Sequence, residues 1–385
     1  MKFDFIIKNG SVFNSQEAIF ENRDLYIKGG LICEGCKNDT ATQIIEAKGK
    51  AVLPGLIDEH AHLNLYGTII GANADTTMIP CGITTACDGG TEGAGGFEQF
   101  YISNIIRYET SVYSYINVST FGNKSLCRHE EDHDPEDFRE DLIAEVFRKH
   151  SHVVRGIKVR MCAGTLGNYG MAPLYKAIEI SENLKKDGFY APVVVHYGDL
   201  PENVTVSELV GALRKGDILA HVFQTHGETI FDENAKVLEC VKEAQERGVI
   251  IDSCNGRVHW SFENLKKGFE DGFFPDIISS DLVRVSEYIR PGFSLIHAMG
   301  VLSAAGMKTE EILKAVTYNP ANALGILHKA GTLENGKPAN IAIFDIIDDR
   351  RILEDMFGGK CKANKMFLPL LTMKEGRVAY RQIFF

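Results

Sequence analysis

Residues 51–62 read AVLPGLIDEHAH, an apolar run that ends in two histidines separated by one residue. The run reads as a strand over residues 51–58, with Pro54-Gly55 supplying a kink. In an extended chain residues i and i+2 point to one face, so His60 and His62 project together and Asp58 shares their side. Two neutral imidazoles and a carboxylate are donors that a zinc-like ion accepts. A surface loop can also carry such a pair, but here it closes an apolar strand, which favours a metal.

Working outward, short β-branched runs alternate with amphipathic segments from about residue 51 to 325. The candidate strands continue as ITTACD (83–88), SVYSYINV (111–118), VRGIKVRM (154–161), PVVVHY (192–197), DILAHVF (217–223), VIIDS (249–253) and DIISSDL (276–282). Helical periodicity falls between them at 136–149, 172–186, 204–214, 233–247 and 295–305. Such alternation implies parallel βαβ units. About eight of them is the number at which a parallel sheet closes into a TIM (β/α)8 barrel. A doubly wound open sheet is the rival, weakened because no GxGxxG follows the first strand. Outside this region both ends are strand-and-turn in texture: FDFIIK (3–8) and DLYI (24–27) at the start, NIAIF (340–344) and residues 376–383 at the finish. Neither end is long enough to bury a core alone. The expectation is an α/β chain whose termini, 1–53 and 330–385, build one small discontinuous β-sandwich, with a barrel inserted over 54–329.

Barrel enzymes carry their reactive groups at the C-terminal ends of the strands. Those ends here hold His60, His62, Lys158, His196, His221 and Asp281. A lone histidine at a strand end is usually structural; two on consecutive strands, joined to the HxH pair, reverse that reading. Asp281 follows the apolar DIISS, and a buried carboxylate demands a partner. Lys158 and Arg160 share a face and both point inward. Arg160 could grip a substrate carboxylate in forked geometry or pair with a protein acid, and the sequence leaves both open. Asn168, Tyr169, His259 and Trp260 fall on loops above the barrel mouth as candidate substrate contacts. Cys87 and Cys162 border strand ends and read as small apolar fillers.

Composition narrows the partners. The chain has 385 residues and a formal net charge of −11, which disfavours nucleic acid and anionic membranes and leaves a small molecule as the partner. No apolar run approaches the length of a membrane span, and Asp4 and Lys8 break any leader-like core, so a cytoplasmic protein is expected. Its nine cysteines are scattered, and Cys33-Glu-Gly-Cys36 is a lone CxxC, read as a turn with two thiols ahead of a zinc or redox site.

Taken together, PGLIDEHAH (54–62), GITTACDGGT (82–91), GIKVR (156–160), His196, His221, Asp281, NPANALGI (319–326) and GTLENGKPANIAIFD (331–345) resemble the amidohydrolase superfamily across nearly the whole chain. The resemblance implies a binuclear metal site, usually zinc, and a carbamate on Lys158 that turns an awkward ammonium into a bridging carboxylate. It implies one ion on His60, His62 and Asp281 and another on His196 and His221. It also implies a homo-oligomer. GIKVR and FPDIISSDL look most like a deacetylase group neighbouring dihydroorotases and adenine deaminases. A metal-bridging hydroxide would then attack an N-acyl or O-acyl carbonyl, with Asp281 as proton shuttle. A cyclic amidase of dihydroorotase or hydantoinase type and a nucleobase deaminase are the alternatives. One departure stands out: the loop SCNGRVHW (253–260) carries more polar and aromatic groups than the glycine-rich loop such a barrel would have, which bears on substrate.

Overall fold

The computed structural model describes residues 2–124, 131–292 and 294–385; Cys127 lies outside them. Seven parallel strands form one sheet in consecutive order: β1 Leu56–Ala61, β2 Ile83–Asp88, β3 Ser111–Asn117, β4 Val154–Met161, β5 Val193–Tyr197, β6 Ile218–Ala220 and β7 Ile250–Asp252. Their apolar runs are buried on both faces, as all three valines opening β5 show. That is the signature of a parallel sheet covered by helices.

The eighth position of the cylinder is filled without a regular strand. Residues 277–282 bridge β7 through Asp252 and Ile277 and bridge β1 through Ala61 and Leu282, both in parallel sense. The Asp281 amide donates to the His60 carbonyl at 2.8 Å, and the His62 amide to the Leu282 carbonyl at 2.8 Å. Sequence alternation suggested a full strand here. Two serines turn the segment aside instead: Ser279 Oγ donates to Asp252 at 2.6 Å and the Ser280 amide to Asp58 at 2.9 Å, while Asp281 adopts a left-handed φ of 46°. The barrel is of the TIM type, closed by an irregular rung.

A second departure concerns residues 51–58, expected as one strand. Ala51–Pro54 belongs to a different sheet, pairing with Ser11–Asn14 and Ile341–Asp348, and only Leu56–Ala61 enters the barrel. Gly55 is the pivot, and a Cβ there would stand 2.2 Å from Thr84 Oγ1. Helices Ala172–Lys186 and Leu295–Ala305 coincide with their periodic patterns. The segment expected over 233–247 is helical only at Glu239–Glu246. Its front is a hairpin-like turn in which Asp232 Oδ1 accepts from the amides of Asn234 and Lys236, and Ala235 is left-handed at φ 60°. Such local aspartate bonding competes with helix.

The chain ends form two larger sheets, beside a short two-stranded one of Ile352–Glu354 and Lys360–Lys362. One is four-stranded and built from Leu31–Cys33, Leu25–Lys28, Lys2–Lys8 and Thr40–Glu46. The other is six-stranded, in the order Arg377–Arg381, Lys365–Lys374, Ile341–Asp348, Ala51–Pro54, Ser11–Asn14 and Ile19–Asn22, so both ends of the chain interleave in it. Ile7, Ile27 and Ile45 from the first sheet and Val12, Ile341 and Leu371 from the second share one apolar cluster. Among the described residues no helix is long and apolar enough to cross a membrane.

Candidate active site

The strand-end residues converge. His60 lies within β1 and His62 just beyond it; Lys158 lies in β4, His196 in β5, and His221 follows β6 directly. Register explains the meeting: His196 pairs with Arg160 on one side and with Ala220, the residue before His221, on the other. Ring centroids of His196 and His221 are 4.3 Å apart, those of His221 and His259 4.2 Å, and those of His60 and His221 5.6 Å. Donor atoms of His60, His62 and Asp281 lie within 4.8 Å of one another, as do those of His196, His221 and His259. These two adjoining groups are what a pair of cations would need.

Hydrogen bonds set the tautomers. His221 Nδ1 stands 2.7 Å from the Cys254 carbonyl, which can only accept, so the proton sits on Nδ1. Its Nε2 therefore carries a lone pair, and that atom is buried without a partner. His62 Nδ1 stands 2.7 Å from Thr91 Oγ1, which spends its own proton on Asp88 Oδ2 at 2.8 Å. His62 Nδ1 must then donate, which leaves a lone pair on Nε2 facing Asp281 Oδ1 at 3.4 Å. Two acceptors at that distance call for a cation or a proton between them. Burial, reinforced by neighbouring cationic groups, also holds His60, His196 and His221 well below the ordinary imidazole range, which favours neutral rings with a lone pair to offer. On donor chemistry and orphaned lone pairs, the residues fit divalent metal.

Lys158 is 2% exposed, and its Nζ lies 3.1 Å from His60 Nε2. No carboxylate lies within ion-pair distance of it among the described residues. Burial lowers its affinity for the charging proton. Below it, Glu59 and Asp252 are both fully buried, and burial pushes Asp252 up to about 6. His221, Cys254 and Asp281 all hold left-handed backbone, with φ of 71°, 37° and 46°. Non-glycine residues in that region cluster at functional sites, where surrounding structure enforces them.

A cavity of about 240 Å³ opens above the cluster, walled in part by Asn117, Arg160, Arg257, Val258, His259 and Val285. Of the expected substrate contacts, Arg160 and His259 line it. Arg160, however, is already engaged: Nη1 donates to the buried Glu131 at 2.8 Å. The protein-acid partner left open by the sequence is the one present. Asn168 and Tyr169 are exposed and absent from the cavity wall, and the Tyr169 hydroxyl donates to Asp134 at 2.9 Å. Trp260, expected on the mouth, is instead fully buried, packed edge-on against Phe262. Asp58 is fully buried and accepts from the Ser280 amide at 2.9 Å and hydroxyl at 2.5 Å, and it is not part of the His60, His62 and Asp281 donor group. Cys87 is a buried filler as expected, and Cys33 and Cys36 are both unpaired thiols. Sequence reasoning missed Cys254, whose thiol groups with His60 and His221, although it lies two residues past the end of β7. It also missed Asn117, which ends β3 and was within reach of the same strand-end rule.

A parallel barrel with nitrogen and oxygen donors gathered at the C-terminal rim defines a barrel hydrolase of the kind that works with divalent metal. The chain belongs to the amidohydrolase family, whose model matches residues 51–378, and it is a hydrolase of carbon–nitrogen bonds. It is 26% identical over 381 residues to a deacetylase of Enterococcus faecalis, covering 98% of this chain and 99% of that one. To a deacetylase of Brucella anthropi it is 28% identical over 325 residues, 84% of this chain and 79% of the other. Among solved structures it is similar to an adenine deaminase at TM-score 0.89 and 26% identity, covering 99% of this chain and 100% of that one. A dihydroorotase gives 0.87 and 25%, covering 98% of each.

Proposed function

We propose that the chain is a metal-dependent deacetylase-like amidohydrolase that cleaves an N-acyl or O-acyl bond of a small, carboxylate-bearing substrate. The pair of adjoining donor groups beside Lys158 carries the reading, and the deacetylase-named relatives over nearly the whole chain support it. His60, His62 and Asp281 would hold one ion and His196 and His221 another, with Lys158, as a carbamate, shared between them. Zinc suits so imidazole-rich a set. When bound, such cations acidify water and polarise an acyl carbonyl.

The remaining work falls to the chain. Asp281 accepts the proton of the attacking water and returns it to the leaving nitrogen or oxygen as the acyl bond breaks, giving a carboxylic acid and an amine or alcohol. His259 Nε2, 3.8 Å from Asp281 Oδ2, stands on the cavity side of that carboxylate and would orient it or the leaving group. The division into terminal sheets (1–53 and 330–385, read as a β-sandwich) and barrel (54–329), and a cytoplasmic setting, belong to the same proposal.

Protein purified without chelator should contain about two divalent ions per chain and release acetate from N-acetyl-amino acids. Turnover of dihydroorotate or hydantoins alone would replace this reading with a cyclic amidase, and ammonia released from adenine would replace it with a deaminase.

A further inference from the structure

Two arginines reach the cavity, and only one is free to bind. Arg160 is committed to Glu131, whose second oxygen accepts from Asn117 Nδ2 at 2.6 Å. Arg257 has no carboxylate partner among the described residues. Its Nε is buried without a hydrogen bond, and Nη2 meets only the weakly accepting Met356 sulfur at 3.8 Å. A guanidinium beside a cavity with an unsatisfied Nε and no carboxylate partner has donors to offer an anion.

Position agrees. Arg257 sits in the polar loop 253–260, immediately after Gly256. A Cβ on Gly256 would lie 2.7 Å from Asp281 Oδ2 and 3.3 Å from the His259 ring, and Gly256 is left-handed at φ 53°. The glycine thus lets the loop lie directly on the proposed proton shuttle, one residue from the arginine. Val258, Val283 and Val285 form an apolar stretch of the same wall, with Val285 63% exposed. A volume of about 240 Å³ is below the usual range for drug-sized ligands, roughly 300–1,000 Å³, and suits one acylated amino-acid-sized molecule.

Resting on the function proposed above, we infer that Arg257 is the residue that binds the substrate carboxylate, with an apolar part of the substrate lying against Val258, Val283 and Val285. Arg257 fixes one end of the molecule, the valines take the apolar part, and the acyl group is left over Asp281. Arg160 holds Glu131 and Asn117 in place and does not touch the carboxylate.

The test compares each enantiomer of N-acetylleucine with the matching N-acetylleucinamide, by calorimetric binding to the metal-loaded full chain and by turnover. Wild type should bind one N-acetylleucine enantiomer at least about tenfold more tightly than its amide, the scale of a charge-assisted bidentate contact. Arg257→Met should collapse that ratio to near one with metal content retained, and Arg257→Lys should restore part of it. A ratio unchanged in Arg257→Met, a parallel loss for both ligands, or a wild type that binds neither or both equally would overturn the assignment. Failure of the underlying function reads differently: carboxylate binding through Arg257 without hydrolysis of either ligand would sink the deacylase and leave the arginine's role standing.

Discussion

The barrel mouth and the terminal sheets answer opposite demands. In the terminal sheets the strands pair in long ladders, interrupted by a bulge between Ile343 and Phe344, and Ile7, Val52, Ile341 and Leu371 fill a common apolar interior. Left-handed non-glycine residues occur in both regions, but in the terminal segments Asn9, Ala18 and Glu375 sit in turns between strands, whereas at the mouth His221, Cys254 and Asp281 stand beside a buried lysine that lacks a carboxylate and a His221 Nε2 without a partner. Each strained residue costs of order 1–3 kcal/mol, a cost the barrel and its packing must offset. Regularity in one region marks where sequence serves stability, and local rule-breaking in the other marks where it serves chemistry.

The sharpest way to break the contrast is at the mouth. Lys158→Ala should empty at least one metal position and nearly abolish acetate release, and Asp281→Asn should keep much of the metal but lose about 10²- to 10⁴-fold in rate. Near-normal turnover in either would remove its assigned role. Next comes Thr91→Val, which deletes the acceptor that orients His62; zinc affinity by competitive chelation should weaken about 10- to 100-fold, with the melting temperature of the metal-loaded chain little changed. Unaltered affinity would show that His62 needs no such support.

In the terminal sheets the effect should move from activity to stability. Leu371→Ala, at a fully buried position, should cost about 2–5 kcal/mol in denaturant unfolding, while kcat of the folded protein stays close to wild type. A collapse of kcat without loss of stability would mean that the two regions are not separable. At the small end, Lys149→Ala removes an exposed i,i+4 pair with Glu145 on the helix Glu140–His150 and should change stability by under about 0.5 kcal/mol.

How much of this was legible depended on range along the chain. His60 and His62 could be read together because two residues of strand geometry suffice to align them. His196, His221 and Asp281 could be placed because an apolar run ending in a polar residue announces a strand's C-terminal end, and barrel topology brings such ends to one rim. Pro54-Gly55 could be read as a kink, and the barrel could be started at residue 54, but the apolar run across it gave no sign that its two halves join different sheets. The missing eighth strand was equally hidden, because Ser279 and Ser280 bend the chain only through Asp252 and Asp58.

The two arginines draw the line most clearly. Backbone periodicity, a local property, determined that Arg160 would point toward the barrel mouth, and it also determined the barrel and its metal-binding rim. That Arg160 would be taken by Glu131, 29 residues earlier, and that Arg257 would be left without a partner, was decided only by the folded chain. Which charges meet depends on distances between loops, and nothing in a single segment's periodicity specifies those.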